Sequence, residues 1–525
     1  MQNMNSENLA HLLNECRYDA ANKTAEVEIT DSLQICLYPN SVQKIGEVVF
    51  FIARSKLEKS LWILADAVKI KKFAGFEGQK IHALPKMILL QCPLSHNNAE
   101  QIRSLFDFTR AKLIGSADSF GFGDRLGIAN PAHVRAASKS KMSAVFAQQS
   151  IRELQRTHRK PAEVLDAATW AVFQEGYMRG FGADADHLKT TDDIDLMVRA
   201  GFTMFTIDPG DNLFDAADSL PQEEVSRKLA TELPDYPGEK KSDCISRYAG
   251  QKIQFTENFE LIPETSEVER CLLKYANVIA MTLNLYNHLK QAWPDHPSEV
   301  ELSVDETDSV TTAFEHYFIV NELKRRGVTL MSLAPRFVGR FEKGVDYIGN
   351  LDEFVAEYKK HQLIAQKLGP YKIGFHSGSD KFQVYAAAAG LGIGRVHVKT
   401  AGTSYLEALR TVAACDPTLF REILDFSRNL YEQEKKTYHV SAQLARVSPA
   451  MEYGDEQLLR LFEDDDARQV MHVTFGQVLT AESTPGNYLF KDRILDCLVR
   501  NEETHYAFLT RHFARHLRPF DQVNE

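Results

Sequence analysis

Seven places along this chain bring together residues that bind metals, carry protons or hold anions. In order they are Asp124 with Arg125, Asp186 with His187, Asp208, Asp305 with Glu306, Arg336, His376, and His397 with Lys399. Each follows a short apolar run, so each sits where a β-strand gives way to a loop. A single histidine at such a point is most often a hydrogen-bonded structural residue, and an aspartate before a helix is commonly its cap. Three histidines at three strand ends, among carboxylates, point further, because neutral imidazole and carboxylate are the donors that a catalytic divalent cation takes. Donor types alone leave zinc, manganese, cobalt and nickel open.

Strand alternation tests this grouping. In RVHVKT (395–400), His397 and Lys399 share one face while Val396 and Val398 share the other, which suits a polar inner face. Asp186 and His187 are neighbours and point oppositely in a regular strand, so one of them is expected beyond the strand or facing away. Asp305 and Glu306 raise the same conflict.

The elements that must position these residues follow from the alternation of short apolar runs with helical segments, the signature of βαβ units and a parallel sheet. Strands are expected to end near Asp124, His187, Asp208, Glu306, Pro335, His376, Lys399 and Thr474. Eight such units predict an α/β fold of the (β/α)8 TIM-barrel type, whose active site lies at the C-terminal ends of the strands. Thr190 and Asp193 predict a capped helix over 191–200 stopped by Gly201, and Thr312 with Glu315 a second, stopped by Gly327. Strand-like runs between Ser32 and Pro93, then an amphipathic helix over 97–113, predict a small N-terminal α/β domain over residues 1–112. The barrel is expected over 113–525, with a helical C-terminal extension. The polar stretch 210–260 is too long for a plain βα loop and reads equally as a lid or as a disordered insertion.

Composition narrows the class. The 525 residues are 44% hydrophobic and 25% charged, as in ordinary globular proteins, and carry a net charge of −11. With that charge and no basic stripe interleaved with aromatics, nucleic acid is not an expected partner. Seven cysteines without a CxxC pair fit a reducing cytoplasm. No apolar run is long enough to span a bilayer, so no membrane partner is expected. The glycine-rich pieces GFGDRLG (121–127) and GLGIG (390–394) lack the GxGxxG spacing, so no NAD is expected. A phosphate loop, a GxSxG elbow and an HExxH helix are also missing.

The segments GFGDRLGIANPAHVRA, GADADHLKTTDDID, FTIDPGD, SVDETDSVTTAFEHYF, SLAPRFVGRFEKGVDY, IGFHSGSDKFQVY and RVHVKTAGTSYLEALR, in this order from about Ser116 to Arg410, resemble the tagaturonate/fructuronate epimerase family. The resemblance implies a metal-dependent isomerase that interconverts D-tagaturonate and D-fructuronate at C4, related ketohexoses being further candidates. It places the metal on His187, His376 and His397 and acid/base work on Asp186 and Glu306. Of the other polar residues of these segments, Asp124, Arg125, Asp208, Asp305, Arg336, Ser377, Asp380, Lys381 and Lys399 are then expected to face the sugar-acid substrate.

The two sugars differ at C4 while the ketone is at C2, so enolisation cannot reach the inverted carbon. Retro-aldol cleavage of C3–C4, rotation of the aldehyde and re-addition is the economical route, direct deprotonation and reprotonation the other. The rival reading is a barrel hydrolase acting on a sugar derivative, metal-dependent or using two carboxylates such as Asp208 and Glu306. A two-carboxylate enzyme works in excess chelator, which separates it. A sugar-acid binding protein without turnover is the third.

Overall fold

The architecture comes from a computed structural model that describes residues 24–30, 33–84, 87–233, 239–307 and 309–522. Period-two patterning governs its beginning. Seven strands, β1 (Ala25–Thr30), β2 (Leu33–Leu37), β3 (Gln43–Ile45), β4 (Val48–Ser55), β5 (Glu58–Asp66), β6 (Gln79–Leu84) and β7 (Met87–Pro93), form one sheet with antiparallel pairing. In β4 both faces are buried: Phe50 and Ile52 pack to one side, Phe51 and Ala53 to the other. The first side packs on Trp170 and Phe173 of the helix Pro161–Glu175.

The helix expected over 97–113 is shorter. Ser95 caps it and it runs from His96 to Leu105. Phe106 leaves the helical path to pack its ring 5.3 Å from Phe50 and 5.4 Å from Phe173. Burial of that aromatic outweighs continued helical pairing.

The barrel is closed and its strands are parallel: β8 (Ser119–Gly123), β9 (Ser143–Ser150), β10 (Gly182–Leu188), β11 (Met204–Ile207), then, beyond the hairpin β12 (Ile253–Thr256) and β13 (Phe259–Leu261), β14 (Glu299–Val304), β15 (Ser332–Pro335), β16 (Lys372–Phe375) and β17 (Val396–Thr400). β17 pairs with β8 and so closes the ring. The expected strand near Thr474 is a correction: Thr474 joins the helices Asp465–Val473 and Phe475–Thr480, and the missing strand is β9. Its Gln148, Gln149 and Ser150 break the apolar run on which a sequence reading depends, although all three are buried.

The capped helices form as expected. Thr190 accepts from Asp193 N and Asp193 reaches back, with Gly201 at φ 92°, while Thr312 and Glu315 make the same box. The described residues of the stretch 210–260 are folded. They form the helices Gln222–Thr231 and Lys241–Tyr248 and the β12–β13 hairpin, and bury Val225, Leu229, Cys244 and Tyr248 in the main core.

Outward residues of the barrel strands, such as Phe120, Leu302, Ile373 and Val398, join the apolar layer under the helices. The inner residues are polar and lie in layers. Low in the barrel, Ser119 Oγ meets His397 Nδ1 at 2.8 Å and Lys372 Nζ at 3.1 Å. Above them Lys399 Nζ is held by Asp184, Asp186 and Glu301 at 2.8, 2.8 and 2.7 Å.

Candidate active site

Asp186 and His187, adjacent in sequence, both reach the barrel mouth. The register of β10 on β11 shifts between Ala185 and Leu188, and His187 adopts φ 55°. A bulge with one left-handed residue turns the second side chain back toward the first. The expectation that one of the pair lies beyond the strand or faces away is thereby corrected, since both belong to β10. A non-glycine residue in this conformation costs on the order of 1–2 kcal/mol, an outlay tolerated where a site requires it.

His187 Nε2 lies 3.8 Å from Asp186 Oδ2, its Nδ1 3.0 Å from Asp208 Oδ2, and its ring 5.2 Å from that of His376. His376 follows β16 and meets Glu301 Oε1 at 2.5 Å through Nε2 and Asp305 Oδ1 at 3.3 Å through Nδ1. Asp186, His187 and His376 each offer a ligand atom, all within 4.8 Å of one another, and His187, Asp208 and Glu306 form an overlapping group.

This donor set fits a divalent cation. Burial lowers the histidines, but Asp186 and Asp208 outweigh it and hold His187 up at about 9. Burial and Lys399 lower His376, and Glu301 and Asp305 outweigh them to hold it at about 10. The carboxylates that hold both imidazoles up would equally attract a divalent cation, and imidazole with carboxylate is a donor set such a cation takes. Lys399 is pushed down by burial and far more strongly up by Asp184, Asp186 and Glu301, so it stays charged. Burial pushes the Asp186 carboxyl up, but His187 and Lys399 prevail and leave it below the usual carboxylate range.

His397 does not join the group. It is fully buried one layer down, with Nδ1 on Ser119 and Nε2 3.9 Å from Asp184. The reason is the two-residue period of β17, which carries His397 below Lys399 rather than beside His376. Asp124 is also a correction: its carboxylate accepts the N–H groups of Leu126, Gly127 and Ala129 and shapes the turn after β8. Asp380 is neutralised by Arg468 at 2.7 Å, and Lys381 donates to the carbonyls of Glu342, Val345 and Ser379. Both serve the loop structure and line neither of the cavities described next.

A cavity of about 480 Å3 opens above His187 and His376, lined also by Asp305, Glu306, Arg336, Ser377 and the apolar Phe337, Phe341 and Phe375. Glu306 lies at its rim, paired with Arg152 Nη2 at 2.7 Å. A smaller cavity of about 50 Å3 adjoins Asp186 and shares Arg152, His187, Lys343, His376, Ser377 and Tyr438 with the larger one; Arg125, Glu153 and His472 form part of its wall.

Several site residues escape a reading confined to strand ends. Asp184, Glu301 and Ser303 sit inside strands, where the i, i+2 spacing of Asp184 with Asp186 and of Glu301 with Ser303 is the signal that finds them. Lys343 and His472 come from a loop and the C-terminal helices, and nothing in their local sequence marks them.

A family model described as tagaturonate epimerase (UxaE) matches residues 38–520. The tagaturonate/fructuronate epimerase of Thermotoga maritima is 41% identical over 486 residues, spanning 92% of this chain and 96% of that protein. A glycerol-complexed crystal structure of fructuronate-tagaturonate epimerase UxaE from Cohnella laeviribosi superposes with a TM-score of 0.87 at 34% identity, over 93% of this chain and 96% of its own. The native crystal structure of that enzyme gives the same values. With a parallel eight-stranded barrel, a histidine–carboxylate group at its mouth and these matches over almost its whole length, the chain belongs to the tagaturonate epimerase family.

Proposed function

We propose that this chain interconverts D-tagaturonate and D-fructuronate by inverting C4. The observation that carries the reading is the Asp186–His187–His376 group at the mouth of a polar barrel, open to a cavity lined by carboxylates and cations. Those three residues would hold a divalent cation, which would supply Lewis-acid stabilisation of negative charge on the ketone oxygen. Asp186 suits a ligand better than a base, because Lys399 and His187 hold its carboxyl below the usual range.

Proton transfer at the C4 hydroxyl falls to Glu306, which faces the cavity and, among the described residues, hydrogen-bonds to Arg152 at 2.7 Å. It removes the hydroxyl proton as C3–C4 breaks; the bonding pair passes to the C1–C3 fragment and C4 becomes an aldehyde carbon. After the aldehyde turns, the pair attacks its other face and the new C4 oxygen takes a proton. Phe337, Phe341 and Phe375 wall the cavity and restrict water around the fragments.

The test is to strip the purified protein with chelator and incubate it with D-fructuronate, with and without added divalent ions. Tagaturonate is expected only in the reconstituted sample. Absence of fructuronate conversion under every ion overturns the reading, and full turnover in excess chelator removes the metal from it.

A further inference from the structure

The small cavity beside Asp186 holds more hydrogen-bond donors than its own acceptors satisfy. Arg125 gives Nε and Nη2 to Glu153 Oε1 at 3.0 and 2.8 Å, while its Nη1 is buried without a partner among the described residues. Lys343 donates to Ser377 Oγ at 3.0 Å and, among the described residues, pairs with no carboxylate. His472 is 1% exposed and, among the described residues, neither ring nitrogen has a partner. Buried polar groups are almost always satisfied, so unmet nitrogens on two residues that line one enclosed space mark that space as a ligand's place.

The chain takes pains to put His472 there. A Cβ on Gly402 would lie 2.0 Å from His472 Cε1, and one on Gly344 would lie 3.3 Å from its Nδ1. Gly402 has φ −107°, open to any residue, so its bareness serves the imidazole and not the backbone. Burial, with Arg125 and Lys343 nearby, holds His472 well below its ordinary range, so the ring is neutral and keeps one N–H to donate.

We propose that this cavity, walled by Arg125, Lys343 and His472, receives the carboxylate of the substrate and thereby selects uronates over neutral ketoses. The inference rests on the epimerase reading above. In a 2-ketohexuronate the carboxylate carbon, C6, is two bonds from C4, so a carboxylate seated here keeps C4 close to the Asp186–His187–His376 group. After C3–C4 scission the C4–C6 aldehyde remains anchored by its charge. It turns about C4–C5 to offer its opposite face without leaving, a rotation that a neutral ketose fragment makes unanchored.

Lys343 is only partly buried, which makes Lys343→Met the variant of choice, with His472→Asn as the second. In both, kcat/KM is measured for tagaturonate and tagatose, together with the affinity for D-glycerate, a stand-in for the C4–C6 fragment, by calorimetry on the metal-loaded protein. The ratio of kcat/KM for tagaturonate over tagatose is expected to fall at least tenfold, mainly through KM for the uronate, and glycerate binding to weaken at least tenfold. An unchanged ratio with unchanged glycerate affinity overturns the assignment while leaving the epimerase intact. If the wild type turns over neither sugar, the epimerase reading fails instead, and glycerate affinity alone decides whether the cavity is an anion site.

Discussion

His187 Nδ1 lies 3.0 Å from Asp208 Oδ2, and this contact decides which imidazole nitrogen faces Asp186. With its Nδ1–H donated to the carboxylate, the ring presents Nε2 toward the cavity, fixing both tautomer and orientation. Asp208→Asn removes the charge that holds the ring. Divalent-ion affinity is expected to weaken about 10–100-fold, with the thermal unfolding of the metal-free protein little changed. Competition with a chromophoric chelator measures it, and an unaltered affinity would show that Asp208 does not orient the ligand.

Isotope transfer reads the bond-breaking order. If C3–C4 is broken and remade, the hydrogen on C4 stays on its carbon as the aldehyde hydrogen. Epimerisation in D2O is then expected to give product without deuterium at C4, read by proton NMR. Deuterium at that position would replace the retro-aldol route with direct deprotonation and make Glu306 a carbon base.

Acid stability follows from histidines remote from the cavities. Burial pushes His133 down to about 3, and His361 and His505 down to about 4. Each is neutral in the native state and protonated when unfolded between about pH 6.5 and pH 4, so the unfolded state binds more protons and stability falls as pH drops through that window. The slope is about 1.4 kcal/mol per pH unit for each fully responding histidine. His187 and His376, held at about 9 and about 10 in the metal-free protein, are protonated in both states there and add nothing. Urea unfolding of metal-free protein at pH 7, 6, 5 and 4 should show the loss beginning above pH 5; a flat profile to pH 5 contradicts it.

The barrel was legible because seven of its strands end in polar residues after an apolar run, and Thr190 and Thr312 announce their helices in local sequence. β9 was not, since Gln148 and Gln149 are polar in sequence yet buried in the fold. At the site, Asp186, His187 and His376 could be gathered from strand ends alone. His397 could not be separated from them, because a strand end does not reveal depth, and one step of two residues carries it a layer below Lys399. The turn that brings Asp186 and His187 to one side depends on a left-handed residue at His187, a conformation that histidine does not advertise. His472 reaches its place through tertiary packing against Gly402 and Gly344, which no local pattern encodes.

The closing pair of the ring has a consequence for synthesis. Ser119 in β8 hydrogen-bonds to His397 in β17, 278 residues later. At about 5–20 residues per second, on the order of tens of seconds separate the appearance of the two strands during translation. Throughout that interval one edge of β8 has no partner and its backbone donors stand open to other chains. Lys399, the cation that gathers Asp184, Asp186 and Glu301, arrives with the same last strand. A ribosome that stalls before residue 396 therefore leaves an open sheet with two adhesive edges and an uncompensated acidic interior, an aggregation-prone species rather than a weakened enzyme.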